Sequence, residues 1–116
     1  MRLFVKGLCQ YAKVKGGGFM PRYILLVDAT RQGIENRKSS PARIEEHKNT
    51  LKAAGIDVRA SYHTLGPHDG LMIVDAPNGA AVGKAVYRME AAGNIRIEMR
   101  RLYTEDEYKE MVGSLP

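Results

Sequence analysis

The chain is short of cysteine and of long apolar runs. It holds one cysteine, Cys9, which excludes an internal disulfide and favours a reducing, cytoplasmic setting. No run of eighteen apolar residues is present, so a transmembrane helix is not expected. The longest apolar run near the start is Leu3-Phe4-Val5, which is too short for the core of a signal peptide. We therefore predict a cytoplasmic protein with no membrane partner.

Metal ligands and nucleophiles are also sparse. The histidines are His47, His63 and His68, and no HxxxH or CxxC spacing links the metal-ligating side chains. No serine lies in a GxSxG context, and the one thiol falls within the first nineteen residues. The sequence predicts no metal site and no cofactor, and it gives no support to nucleophilic catalysis.

Acidic residues are absent from the first nineteen positions. The basic residues there are Arg2, Lys6, Lys13 and Lys15. The formal net charge of +5 depends on them, because residues 20–116 carry 14 basic and 13 acidic side chains. Charge therefore gives little support to nucleic acid as a partner. An RNA-binding sheet also needs exposed aromatic residues on its central strands, where this chain offers only Tyr23.

The same basic segment ends in three glycines before Met20. Three glycine codons can contain GGAGG, the ribosome-binding signal of bacteria, a few nucleotides upstream of the Met20 codon. Our hypothesis is that Met20 is the biological start and that residues 1–19 are a translated leader. The alternative is a flexible basic tail. In either case we expect one folded domain over residues 20–116.

Hydrophobic periodicity predicts four strands and three helices from Met20 onward. Strands are predicted at 22–27, 56–62, 71–75 and 95–100. Helices are predicted from Ser40-Pro41 to Gly55, from Pro77-Asn78 to Gly93, and from a capping box at Thr104 and Glu107. Residues 28–39 are predicted as a loop. The order βαββαβ with a last helix is the α+β, ferredoxin-like plan of an antiparallel sheet with two helices on one face.

The predicted sheet has more apolar surface than two helices can cover. Its first and third strands are apolar on both sides, and an exposed apolar face of several hundred Å² marks an interaction site. We expect a second copy to cover it, sheet against sheet, in a homodimer. The alternative is that the C-terminal helix folds across this face.

Four separated blocks of the chain resemble the GYD family of small bacterial and archaeal proteins. The blocks are 20–26, 30–43, 62–70 and 93–98. The third is the hairpin Tyr62-His63-Thr64-Leu65-Gly66-Pro67-His68-Asp69-Gly70, which matches the motif that names the family, with His68 in place of its tyrosine. The resemblance implies a fold of the dimeric α/β-barrel type. That superfamily includes small monooxygenases, isomerising enzymes and binding proteins, so the fold does not choose an activity.

Three groups of residues are candidates for function. His63, Arg96 and Glu98 are the catalytic candidates, because strand alternation allows them to point the same way into a cavity between two sheets. There His63 would move a proton while Arg96 and Glu98 orient a small anionic or carbonyl ligand. Alternating charges also fit a solvated face or intersubunit salt bridges. The ligand-binding candidates, in and after the first loop, are Thr30, Asn36, Lys38 and Arg43.

The hairpin supplies the third group, Thr64, Gly66, His68, Asp69 and Gly70. Asp69 and Gly70 have a local explanation, because aspartate caps turn N–H groups and glycine tolerates positive φ. Tyr62 before the turn is expected in the core, on the same face as Val58 and Ala60.

The predicted function is a homodimeric small-ligand-binding or structural module. The alternatives are a cofactor-independent enzyme that works in the inter-sheet cavity and, with least support, a nucleic-acid-binding protein.

Overall fold

The computed structural model describes residues 20–116, and the predicted leader, 1–19, lies outside the described residues. In chain order the elements are β1 (Arg22–Ala29), α1 (Arg31–Glu35), a 3₁₀ turn (Arg37–Ser39), α2 (Ser40–Ala53), β2 (Asp57–His63), β3 (Gly70–Asp75), α3 (Gly79–Glu90), β4 (Ile95–Leu102) and α4 (Glu105–Gly113). The predicted order of strands and long helices is confirmed. No helix within residues 20–116 is both long enough and apolar enough to cross a membrane.

The four strands form one antiparallel sheet in the order β2-β3-β1-β4. One face carries α2 and α3, and alternate residues of β1, such as Tyr23 and Leu25, are buried against these helices. The core is completed by residues from both helices and from β3, among them Leu51, Val82 and Val74. This arrangement is the predicted ferredoxin-like α+β fold.

The starts of α3 and α4 follow the predicted capping chemistry, whereas at the start of α2 Ser39 takes the cap position in place of Ser40 and its side chain makes no capping hydrogen bond. The Asn78 side chain accepts a hydrogen bond from the Ala81 N–H at 2.9 Å. Thr104 and Glu107 form a reciprocal capping box at 2.9 and 3.0 Å. Gly55 follows α2 with a φ of +78°, a conformation that glycine adopts without strain.

The prediction of a loop at residues 28–39 is wrong. Strand β1 continues to Ala29, and α1 begins directly after Thr30, whose hydroxyl accepts a hydrogen bond from the Gly33 N–H at 3.1 Å. A Cβ at Gly33 would lie 2.0 Å from the Asn94 carbonyl oxygen. The short helix therefore depends on a close approach to residues 92–94, more than fifty positions away in the chain.

Strand β2 carries a β-bulge between Val58 and Ala60. Val58 pairs with Val74, but Ala60 already pairs with Ile73, so Arg59 is the extra residue and the alternation changes phase there. After the bulge, Ser61 and His63 lie on the helix side of the sheet. The residue between them, Tyr62, lies on the opposite side.

The expectation that Tyr62 belongs to the core is therefore wrong. Its pairing with Leu71 puts it on the open side of the sheet, and 62% of its surface is exposed.

The C-terminal helix α4 has no buried residue. It is joined to the end of β4 by the Arg101–Glu107 ion pair at 3.2 Å. Tyr108, Met111 and Val112 remain exposed on it. The alternative in which this helix folds across the open face would bury these side chains, so it does not describe this chain.

Replacing Gly33 by alanine should destabilise the protein. The added methyl group would collide with a backbone oxygen, which cannot rotate away like a side chain, so we expect a loss of about 1–3 kcal/mol. The measurement is the free energy of unfolding in a denaturant titration.

Gly83→Ala is the matched control. Gly83 lies inside α3, and an added Cβ there meets no atom within 4 Å. Because alanine favours a helix over glycine, we expect a gain of about 0.5–1 kcal/mol. If both variants changed stability in the same direction, the proposed close contact at Gly33 would be contradicted.

Candidate functional site

The hairpin motif is bound to the end of β1 by hydrogen bonds. The Asp69 N–H donates to the Val27 carbonyl at 2.9 Å, and the Ala29 N–H donates to the Asp69 carboxylate at 2.7 Å. Within the turn, Thr64 donates its N–H to the Asp69 carbonyl at 3.1 Å and its hydroxyl to the His68 carbonyl at 2.5 Å. The motif thus holds together two neighbouring ends of the sheet.

The two glycines of the motif have separate roles. Gly66 lies at the tip of the turn with a φ of +124°, which a side chain would strain. Gly70 faces His63, and a Cβ there would lie 3.6 Å from His63 Nδ1 and 3.0 Å from the Tyr62 carbonyl oxygen. Gly70 therefore leaves room for the imidazole ring on the helix side of the sheet.

A pocket of about 120 Å³ lies between α2 and the helix side of the sheet. Its apolar lining comes from both elements and from α3. The apolar residues on the helix side are Leu25, Val27, Ala29, Ile44, Met72, Met89, Ile95 and Ile97. The polar residues on that side are Arg37, Ser40, Arg43, His47, Ser61, His63, Asp69 and Asn94. Tyr62 and Leu71, which pair on the open side of the sheet, also border the pocket. The pocket lining therefore combines apolar side chains with polar and basic ones.

The two arginines of the pocket differ in their partners. Arg37 lies 3.8 Å from the Asp69 carboxylate. Arg43 donates to the Asn36 carbonyl at 3.2 Å and to the Ser39 hydroxyl, but no carboxylate within residues 20–116 lies within 4 Å of its nitrogens. Its positive charge is thus held in place by neutral acceptors and is not balanced by a nearby anion.

Two imidazoles line the same pocket. Burial lowers the pKa of His47; Glu46 raises it in part and Arg43 lowers it further. His47 is therefore a neutral imidazole at pH 7. In the described part of the chain, neither His47 nor His63 makes a side-chain hydrogen bond. Both rings can still donate to, or accept from, a molecule in the pocket.

The predicted ligand-binding residues divide between pocket and surface. Arg43 lines the pocket. The Thr30 hydroxyl donates to the Gly93 carbonyl at 2.6 Å and caps α1, so it has a structural role. Asn36 offers its carbonyl to Arg43 and Ser39, while Lys38 is exposed on the 3₁₀ turn outside the pocket.

The predicted catalytic residues do not form one site. His63 lies in the pocket on the helix side, whereas Arg96 and Glu98 pair in register with Asp28 and Leu26 on the open side. Their expected common orientation is therefore wrong, because the bulge in β2 moves His63 to the other face. Glu98 instead accepts a hydrogen bond from Arg100 Nε at 2.6 Å along its own strand.

His47 lines the pocket without being a candidate from the sequence, as do Arg37, Ser40, Ser61 and Asn94. It follows Arg43 by four residues and Ile44 by three, so all three lie on one side of α2. That spacing is the signal that could have identified it. No group of three or more potential metal-ligating side chains converges within residues 20–116.

The open face is the second candidate surface. Its central strands carry half-buried aliphatic residues, namely Ile24 and Leu26 on β1 and Leu71 and Ile73 on β3. Tyr62 adjoins them on β2. The charged residues of β4 form its opposite edge. Tyr23 is buried on the helix side, so the central strands present no aromatic ring on the open face.

Comparison with known proteins agrees with this architecture. The model of the GYD domain matches residues 23–112. A protein of Thermus thermophilus named glutamine synthetase and cystathionine beta-lyase binding protein is 33% identical over 78 residues, which are 66% of this chain and 82% of that protein.

Among solved structures, a feast or famine regulatory protein from M. tuberculosis, complexed with L-methionine, superimposes with a TM-score of 0.56 and 16% identity. The match covers 89% of this chain and 66% of the regulator, slightly less than two thirds of it. At this identity the likeness concerns the fold alone.

The lowered pKa of His47 predicts a pH dependence of stability. The unfolded chain binds a proton near the ordinary histidine value of 6.5, while the folded chain resists it. This contribution to stability is complete above that pH and is lost as the pH falls below it. In His47→Gln the contribution is absent.

We therefore compare the unfolding free energy of the parent with that of His47→Gln at two pH values. The value of the parent minus that of the variant should be larger at about pH 7.5 than at about pH 5.5. Denaturant titrations at one protein concentration measure it. A difference that stays constant between the two pH values would contradict the burial of His47.

Proposed function

This chain belongs to the GYD domain family, and we propose that it is a homodimeric binding module without catalytic turnover. The open aliphatic face of the sheet is the observation that carries this proposal. The pocket on the other side supplies the site for a small ligand. One side of the sheet would thus serve assembly, and the other would serve ligand binding.

The open face has the properties of a self-complementary interface. Its centre is aliphatic, and an apolar sheet face left in water is unfavourable. Its β4 edge carries both signs of charge, with Arg96 directly opposite Asp28 and Glu98 beside Arg100. A two-fold axis through such a face pairs apolar centre with apolar centre and lets each charged edge meet its opposite sign.

The division of polar groups between the two faces favours binding over catalysis. The acid–base chemistry predicted for His63, Arg96 and Glu98 needs all three side chains on one side of the sheet. Arg96 and Glu98 lie on the opposite side of the sheet from His63. The pocket around His63 contains Arg43 and neutral His47 instead. This set can hold an anion, but it includes no carboxylate free to act as a base, since Asp69 is bound by Ala29 and Arg37.

A nucleic-acid function has less support. Bases bind to such sheets by stacking on exposed aromatic rings of the central strands. On the open face those strands present the aliphatic residues Ile24, Leu26, Leu71 and Ile73, which offer no ring on which a base could stack.

A protein partner is the second part of the proposal. The Thermus thermophilus relative is named for binding glutamine synthetase and cystathionine beta-lyase. By this relationship we propose that the present chain binds an enzyme of the same kind. Ligand in the pocket and enzyme on the surface would then belong to one regulatory module.

The dimer predicts a specific effect of Tyr62→Arg. This side chain is largely exposed in the single chain, so its replacement should leave the fold intact while placing charge in the interface. We expect a rise of at least roughly tenfold in the dissociation constant of the dimer. Leu71→Arg, at the centre of the face, should do the same. Native mass spectrometry and sedimentation over a concentration series measure both.

Tyr87→Arg is the matched control, because Tyr87 is 76% exposed on α3, away from the open face. It should leave the dimer unchanged. A parent chain that is monomeric at all concentrations, or a Tyr87→Arg variant that dissociates as readily as Tyr62→Arg, would contradict the proposed interface.

The enzyme partner is tested with purified proteins. The full-length chain, immobilised on a surface, should retain purified glutamine synthetase from the same organism that encodes the chain. It should not retain an unrelated oligomeric enzyme of similar charge. Surface plasmon resonance gives the affinity. Equal retention of both enzymes, or of neither, would contradict this part of the proposal and leave the dimer unaffected.

A further inference from the structure

We propose that the pocket between α2 and the sheet binds a small amphipathic carboxylate, a molecule with one compact apolar body and one carboxylate group. The inference rests on the proposed binding role, and it names the ligand class. The side chains that would bind the carboxylate, Arg43, His47 and His63, lie on the helix side of the sheet, away from the proposed dimer interface.

The size of the pocket limits the apolar body. A cavity of about 150 Å³ lined by aliphatic residues accommodates benzene, and this pocket measures about 120 Å³. Its floor, formed by Val27, Met72 and Ile97 among others, offers no hydrogen-bonding side chain. A branched aliphatic group of about four or five carbons fits this volume, whereas a bare inorganic anion would leave the floor empty.

The charges around the pocket select a carboxylate for the other end. Arg37 and Asp69 form a pair within the lining, and Arg43 adds a positive charge that no described carboxylate balances. The bonds that Arg43 makes to Asn36 and Ser39 both come from Nη1. The rest of its guanidinium, which is planar and suited to paired hydrogen bonds, remains available to a carboxylate.

The imidazoles supply the neutral contacts. His47 and His63 both line the pocket, and each lacks a side-chain hydrogen-bond partner within residues 20–116. Because His47 is held neutral by its burial, it can donate one N–H to a carboxylate oxygen without contributing a second full charge. A ligand carboxylate would thus satisfy polar groups that the folded chain leaves unpaired.

Three probes separate the parts of this recognition. 3-Methylbutanoate has both the apolar body and the charge, 3-methylbutanamide keeps the body without the charge, and acetate keeps the charge without the body. Each is titrated into full-length protein at about pH 7.5, and methyl resonances of Val27, Met72, Ile95 and Ile97 are followed by NMR. We expect saturable shifts of these methyls with 3-methylbutanoate, and affinities lower by roughly ten- to a hundredfold for the other two.

Two arginine variants locate the charge. Arg43→Gln should weaken 3-methylbutanoate binding by roughly ten- to a hundredfold, the loss expected for a hydrogen bond to a charged group. Arg31→Gln is the matched control, because the Arg31 side chain is 94% exposed and is not part of the lining. It should bind like the parent. A thermal unfolding curve of each variant verifies that the fold is retained.

Several results would overturn the proposal. They are equal affinities for the acid and the amide, shifts confined to residues outside the pocket, equal losses in the two arginine variants, or no saturable shift in the millimolar range. Native mass spectrometry of the same sample separates the two proposals. A dimer that binds none of the probes overturns the ligand class alone, whereas a monomer that binds 3-methylbutanoate overturns the dimer alone.

Discussion

The β-bulge at Arg59 determines which side chains of β2 face the pocket. A regular strand that begins with Val58 in the core would also direct Ala60 and Tyr62 toward the helices. The extra residue shifts that alternation, so Ser61 and His63 line the pocket and Tyr62 joins the open face. Arg59 itself is bound at both ends of its guanidinium, 3.2 Å from the Asp57 carboxylate and 3.6 Å from that of Asp75. These contacts hold Arg59, the extra residue that sets which face of the sheet each later side chain of β2 occupies.

Because of this shift in alternation, the two sides of the sheet present different surfaces. On the helix side, a small cavity is lined by basic, imidazole and aliphatic side chains. On the open side, aliphatic strands end in charges of both signs. His63 and Tyr62 are chain neighbours, yet they serve opposite surfaces. A ligand that moves the His63 ring would thus act on the residue next to Tyr62, which belongs to the proposed dimer interface.

The parts of the fold that depend on local chemistry could be predicted from the sequence. Asn78, Thr104 and Glu107 act where their capping positions indicated, since a cap needs only residues three apart in the chain. Features that depend on distant contacts could not. Helix α1 packs with Gly33 close to the Asn94 carbonyl, and a local pattern of polar residues around Gly33 is also typical of a loop.

The candidate site shows the same limit. Arg43 and His63 were both selected, but as members of different groups, and their meeting in one pocket requires the packing of α2 on β2. His47 has no metal-ligand spacing to the other histidines, so the sequence alone gives it no role. Arg96 and Glu98 share the side of His63 only where alternation continues unbroken through Arg59. A single inserted residue does not change the composition of a strand noticeably. It nevertheless moves every later side chain of that strand to the other face of the sheet.

The hairpin that resembles the family motif acts on the pocket indirectly. Its Asp69 carboxylate is engaged by the Ala29 N–H and lies near Arg37, so one of the two pocket arginines is neutralised and Arg43 is left as the cation for a ligand. His68, which stands where the family has tyrosine, points away from this lining and binds Asp28 at 2.9 Å. A substitution there changes a contact at the rim of the sheet, whereas a substitution at Asp69 would alter both the turn and the charge of the pocket. The aspartate and the glycine that follows it are thus the parts of the motif on which the proposed ligand binding would depend.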